Sequence, residues 1–171
     1  MIQIIPAQAA DLPEIDALLD AGFGPARRNR TAYRLREDAT PDPALSFVAR
    51  DDGVLIGSVQ CWPVRLRNCN GAAVPLVLLG PVITAANRRG EGIASALMQA
   101  ALAAVDAAGG APVLLIGDEP FYGRFGFSAA ATGGWQMPGP VDRERLLLRW
   151  AGAALPAFGW VEPADGVRRA A

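Results

Sequence analysis

A mixed α/β fold, with a mostly antiparallel sheet and one parallel strand pair, is what this chain of 171 residues predicts. Three observations carry the prediction. Two apolar runs flank Asp51-Asp52-Gly53, a strong hairpin signal. Between Val77 and Ile116 an apolar strand, a helical repeat and a second apolar strand follow one another, and a unit of that length joins a parallel pair through a crossover. The length suits a single domain over residues 1–171, since folding at this size hides roughly 70% of the unfolded surface.

Taken in order, Ile2-Gln3-Ile4-Ile5 alternates poorly and is rich in isoleucine, as in a strand covered on both faces. Asp11-Leu12-Pro13-Glu14 resembles a capping box with proline in the first turn. Leu12, Ile15, Leu18 and Leu19 then share one helical face until Gly22 and Gly24. From Pro25 to Glu37, Arg27, Arg28, Arg30, Arg34 and Arg36 are interleaved with Ala32, Tyr33 and Leu35. This spacing predicts a short helix with a basic face, either solvated or turned toward an anion.

Leu45–Ala49 and Val54–Trp62 form the hairpin. After the turn Asn68-Cys69-Asn70-Gly71, Ala73–Thr84 completes a three-stranded meander, with a bulge or unpaired edge expected where Pro75 and Gly80-Pro81 interrupt it. Ile93, Leu97, Met98, Ala101, Leu102 and Val105 keep helical spacing up to Gly109-Gly110, and Val113–Ile116 is a continuous apolar strand. Beyond Phe127, Arg145–Trp150 is the last strand candidate. Pro156, Gly159, Pro163 and Gly166 predict an irregular end, with Arg168–Ala171 frayed.

Composition excludes whole classes of chemistry. Every one of the 16 basic residues is arginine, and there is no histidine. Without lysine there is no P-loop lysine, no Schiff base and no kinase ion pair; without histidine there is no Ser-His-Asp or Cys-His catalysis. Cys61 and Cys69 are too few for a zinc cluster and read as free thiols, so no metal is expected. A formal charge of -1 argues against a general nucleic-acid footprint. No apolar run approaches the ~20 residues of a membrane span, and the first five residues lack the basic start of a secretory signal. The expected location is the cytoplasm.

The richest stretch is Arg88-Arg89-Gly90-Glu91-Gly92-Ile93-Ala94, a glycine turn that follows a strand and opens a helix. Unpaired N–H groups and the helix dipole favour an anion there, and glycines let it approach. The dinucleotide fingerprint would need glycine at Ser95. What fits is R-x-x-G-x-A over Arg89–Ala94, followed after one helix and one strand by Phe121-Tyr122-Gly123-Arg124-Phe125-Gly126-Phe127, which fits F-Y-x-x-x-G-F.

On these two segments the chain resembles the GNAT superfamily of acetyl-CoA dependent N-acetyltransferases. The resemblance is firm over residues 45–128. It implies helices on both faces of the sheet, and fourth and fifth strands that splay apart to admit the pantetheine arm of acetyl-CoA. By position, Val82, Ile83 and Thr84 would contact pantetheine, and Arg88, Arg89, Gly90, Gly92, Ile93 and Ala94 would hold the diphosphate. A backbone N–H near Val82 would stabilise the oxyanion. Tyr122 matches the tyrosine that donates a proton to the departing thiolate; its alternative role is a buried aromatic.

The base stays open. Val77–Thr84 contains no ionisable residue, so Asp118, Glu119 or a water chain is left, and Asp118-Glu119 also reads as a turn and helix cap ahead of Pro120. The resemblance implies acetyl transfer to an amine of a small molecule or peptide and permits a homodimer. The alternative function is a non-catalytic acyl-CoA sensor or interaction module. Nucleic-acid binding through Arg27–Arg36 rests on charge alone.

Overall fold

The computed structural model describes residues 1–164, so the expected frayed segment Arg168–Ala171 lies outside the described residues. Eight strands form one sheet in the order β1-β2-β3-β4-β5-β7, with β8 paired to both β3 and β6. They are β1 (Ile2–Pro6), β2 (Phe47–Asp51), β3 (Val54–Arg67), β4 (Ala73–Thr84), β5 (Val113–Ile116), β6 (Gly134–Gln136), β7 (Leu146–Arg149) and β8 (Phe158–Pro163). The helices are α1 (Leu12–Phe23), α2 (Thr31–Arg34), α3 (Ile93–Ala107) and α4 (Glu119–Tyr122). The described residues divide into two compact units, the first made of Met1–Asn29, Pro41–Cys61 and Leu79–Gly110 and the second of Arg30–Thr40, Trp62–Leu78 and residues 111–164.

In the first unit, β1 pairs antiparallel with β2 from Ile2–Asp51 to Pro6–Phe47, and β2 pairs antiparallel with β3. The predicted hairpin forms. Asp52 (φ 47°) and Gly53 (φ 85°) both take positive φ, the twist-matched geometry of a two-residue turn. One expectation fails here: β1 is not covered on both faces. It is an edge strand with a single neighbour, and Ile2 and Ile5 are each 37% exposed.

Helix α1 buries Ile15 and Leu19 against Ala7, Val48, Leu55 and Ile83, the face its spacing predicts. Asp11 holds the N-cap position, but its side chain makes no cap bond. It accepts instead from the Gln8 N–H at 2.7 Å and from Arg50 at 2.8 Å. Helix α3 buries all six residues of the predicted stripe. It closes with the Gly110 N–H donating to Val105 O at 2.9 Å, Gly109 and Gly110 both in the positive-φ region that glycine tolerates.

The arginine-rich segment is not one basic helix. Pro25–Asn29 is a single tight turn, α2 has only four residues, and Arg27 is 3% exposed. Asp16 and Asp20, one helical turn apart on α1, hold Arg27 at 2.9 and 2.8 Å, and Asp20 also takes Arg28 at 3.0 Å. Pairing with α1 thus buries Arg27, while Arg28, Arg30 and Arg34 stay exposed as a solvated face would have them. In the second unit Arg34 donates to Pro138 O at 2.6 Å, and Arg36 lies over the Tyr33 ring at 4.3 Å.

The second unit is centred on Leu35, Leu66, Leu78, Leu114, Trp135 and Leu146, each at most 1% exposed. Strand β5 pairs parallel with β4 at Val77–Val113 and Leu78–Leu114, as the strand-helix-strand pattern predicts. On its other side β5 pairs antiparallel with β7, from Val113–Arg149 to Ile116–Leu146.

The predicted irregular end contains β8, antiparallel to β3 from Val64–Pro163 to Arg67–Trp160 and parallel to β6. Glycine and proline were no obstacle, because each sits where the strand needs it. A Cβ at Gly159 would stand 2.7 Å from Arg67 O, so glycine permits the close approach of the β3 backbone, and Pro163 closes the strand. Gly159→Ala should therefore destabilise the protein by about 1–3 kcal/mol in urea unfolding, the cost of forcing atoms into filled space.

Both cysteines are free thiols. Burial pushes the Cys61 thiol up to about 12, with the Asp42 carboxylate adding to the effect, whereas Cys69 is exposed. A thiol reagent at neutral pH should therefore modify one cysteine in the native protein and two after denaturation, and Cys69→Ser should silence the native reaction.

Candidate active site

The candidate coenzyme and catalytic residues fall into two groups, one in each unit. In the first unit, Leu79–Thr84 continues β4 past its last β5 partner, Leu78. Ile83 is 4% exposed, Val82 and Thr84 are partly buried, and Thr84 Oγ1 is buried with no hydrogen-bond partner among the described residues. A buried hydroxyl without a partner is costly, and a ligand group that bonds to it would relieve that cost.

From Thr84 the chain enters a tight turn. The Ala85 N–H donates to Ile56 O at 2.8 Å and the Arg88 N–H to Ala85 O at 2.9 Å. Gly90 (φ 88°) and Gly92 (φ 77°) then adopt positive φ, and Gly92 serves as the left-handed N-cap of α3 without a side-chain cap. The first bond of the helix runs from Ala96 N–H to Gly92 O at 3.0 Å, which leaves the N–H groups of residues 92 to 95 outside the helical ladder. A Cβ placed on Gly90 or Gly92 would meet nothing within 4 Å. The turn is thus open above its free N–H groups, at the positive end of a 15-residue helix dipole.

Arg88 and Arg89 differ. Arg88 donates from Nε and Nη2 to Glu91 at 2.8 and 2.9 Å, and from Nη1 to Asp51 at 3.0 Å. Those two carboxylates hold its guanidinium charged, and hydrogen bonds draw both carboxyls below their ordinary values, at Asp51 from the Met1 ammonium first and Arg88 second, at Glu91 from Arg88. Arg89 is exposed. Ile93 is 3% exposed and packs at Gly57, where a Cβ would stand 3.0 Å from Ile93 Cγ2, while Ala94 is partly buried. The Asp51 contact was invisible in the sequence, where Asp51 reads only as part of a hairpin turn.

In the second unit, β5 leads through Gly117 and Asp118 into α4, which ends on Tyr122. Asp118 is the N-cap by backbone, its carbonyl accepting from the Phe121 and Tyr122 N–H groups at 3.1 and 3.0 Å. Its carboxylate makes no cap bond and takes Arg145 Nε at 3.1 Å instead. Glu119 lies in the first turn of α4. The Tyr122 ring meets Phe121 edge-on at 4.8 Å and Phe127 at 6.3 Å. Burial raises the phenol above its usual value of 10.0, the Asp118 carboxylate adds to the rise and Arg145 opposes it. The hydroxyl therefore keeps its proton at neutral pH.

Among the described residues no group of three or more His, Cys, Asp or Glu side chains is placed to hold a metal ion, and no helix is long and apolar enough to cross a membrane. Residues 3–130 match the family described as acetyltransferase (GNAT) domain. The uncharacterized N-acetyltransferase YhbS of Escherichia coli K12 is 36% identical over 122 residues, 71% of this chain and 70% of that protein. The crystal structure of Escherichia coli YhbS in complex with CoA is similar with a TM-score of 0.71 at 30% identity, over 95% of this chain and 88% of that one. A GNAT family acetyltransferase from Brucella melitensis, in complex with acetyl-CoA, gives 0.69 at 27% identity over 95% of each chain. With three quarters of its length inside the family match, and with both the glycine turn and the tyrosine segment in order, this chain belongs to the GNAT acetyltransferase family.

Proposed function

We propose that the protein is an N-acetyltransferase that moves an acetyl group from acetyl-CoA to a primary amine of a small molecule or peptide, by direct attack in a ternary complex, and that residues 1–171 act as one such domain. The observation that carries this reading is the open glycine turn at the start of α3, in a chain whose similar structures hold CoA or acetyl-CoA.

In this reading the N–H groups from Gly92 to Ser95 and the Arg89 side chain hold the diphosphate, with Gly90, Gly92 and Ala94 giving it room and Ile93 anchoring the turn. Arg88 takes a different part from Arg89. Since its guanidinium is shared between Glu91 and Asp51, it ties the turn to the end of β2. The backbone of Val82, Ile83 and Thr84 bonds the pantetheine arm, and Thr84 Oγ1 gains a partner. The neutral amine attacks the thioester carbonyl, a backbone N–H near Val82 takes the oxyanion, and the C–S bond breaks as Tyr122 Oη gives its proton to the thiolate. The surplus proton of the new ammonium leaves to Glu119 or a water chain, in preference to Asp118 with its Arg145 contact.

A second reading, an acyl-CoA sensor without turnover, is favoured by one observation: β4 offers no ionisable side chain from Leu79 to Thr84. Thiol release from acetyl-CoA, followed against polyamines, amino acids, aminoglycosides and peptide N-termini, separates the two. Turnover with at least one amine is expected; ligand binding without turnover on any of them would favour the sensor. Cys69→Ser is the suitable background, because the exposed thiol would otherwise consume reagent.

A further inference from the structure

We propose that Gly117 is a positioning residue for Tyr122: the missing side chain at 117 lets the phenol ring lie against the end of β5, and this contact fixes where the hydroxyl points. The kinetic consequence rests on the reading of Tyr122 as an acid; the placement of the ring does not.

Gly117 has no backbone reason to be glycine, because its φ lies outside the left-handed range. What excludes a larger residue is the ring itself. A Cβ at 117 would stand 2.7 Å from Tyr122 Cδ2 and closer still to Cε2, with Leu115 Cδ1 at 3.2 Å on another side. Neither end of the segment can give way readily. The Gly117 N–H donates to Arg145 O at 2.9 Å, tying it to the chain entering β7, and the Tyr122 N–H donates to Asp118 O at 3.0 Å. Only the ring is left to move. Phe121 and Phe127, the latter 2% exposed, meet it edge-on with ring centroids at 4.8 and 6.3 Å. A methyl group at 117 would therefore turn the phenol about its side-chain torsions toward solvent without unfolding the strand.

The chain has two tyrosines, so in a Tyr33→Phe background Tyr122 alone gives the ultraviolet signal of phenolate formation. With Gly117 intact the titration should lie above the ordinary value of about 10, as burial requires, with Asp118 and Arg145 the charged groups that act on it. In Gly117→Ala it should fall back toward that value, while the acetyl-CoA affinity stays within about twofold because uniform binding is untouched. An unchanged titration in a folded Gly117→Ala protein would overturn the proposal.

Should that variant fail to fold, the stability of Gly117→Ala/Tyr122→Ala against Tyr122→Ala decides the matter. Removing the ring should make the methyl group tolerable, and a double variant that still fails to fold would overturn the assignment equally. Turnover then tests the acid reading separately. Gly117→Ala should lower kcat to the level of Tyr122→Phe, with no further loss in Gly117→Ala/Tyr122→Phe. A shifted titration with unchanged kcat would support the placement and remove the acid.

Discussion

Acetyl-CoA at a hundred times its dissociation constant should stabilise this protein by about 2.7 kcal/mol, which for a chain of this size is a rise in Tm of about 5–10 °C. Gly92→Trp should abolish that rise. The substitution is informative because nothing lies within 4 Å of a Cβ at 92, so a side chain there starts out into open space beside the N–H groups at the start of α3. The folded protein loses only what a non-glycine residue costs at φ 77°, about 1–2 kcal/mol. Gly71→Trp is the control. It has φ 88° and equally empty surroundings in the turn after β3, so it carries similar strain and should keep the full response. The absence of a shift at millimolar acetyl-CoA in the parent protein would remove the coenzyme reading altogether. A shift that survives in Gly92→Trp would move the site away from this turn.

Tyr122→Phe has the second large effect. It removes one oxygen and keeps the ring that packs on Gly117, Phe121 and Phe127, so fold and coenzyme response should persist while kcat falls about a hundred- to ten-thousandfold, the range of a lost general acid. The pH dependence has a definite sign. Burial first, and Asp118 second, raise the phenol in the folded state, so the acid stays protonated past its ordinary value of 10.0 and the alkaline fall of kcat should begin above it. The same rise contributes to stability below the unfolded pKa, and that contribution is lost as pH climbs through the folded one. The alkaline limb of kcat should vanish in Tyr122→Phe. Turnover unchanged by the substitution would return Tyr122 to an aromatic packing role.

Much of the fold was legible because its signals are local. The hairpin at Asp52-Gly53 follows from turn chemistry, the buried stripe of α3 from its helical period, and the parallel β4–β5 pair from an apolar strand on either side of one helix. Local signals failed where a distant partner decided. β8 is a strand because β3 and β6 supply its hydrogen bonds and because Gly159 lets the β3 backbone come near, whereas its composition alone suggests a loop. β1 is exposed because the sheet ends there, and no pattern in four residues says which strand is the edge. The arginines between 27 and 36 were visible as charge, but their partners on α1 and in the 138–140 segment were not.

The candidate site divides in the same way. By itself the sequence determined the kind of chemistry: no lysine, no histidine, a glycine turn that opens a helix, and an aromatic segment with one tyrosine. Residue types and short spacings are enough for that, since the free N–H groups of a helix start and the proton of a phenol are properties of a few neighbouring residues. The tertiary structure decided which groups are available. Arg88 is bound to Asp51, 37 residues away, Asp118 meets Arg145 across 27, and Gly117 must lack a side chain because a ring from another turn occupies the space. Close packing acts within a few ångströms and charge pairing, in salt, within about 10 Å, both through space and not along the chain, so only the folded chain reveals which partners they join.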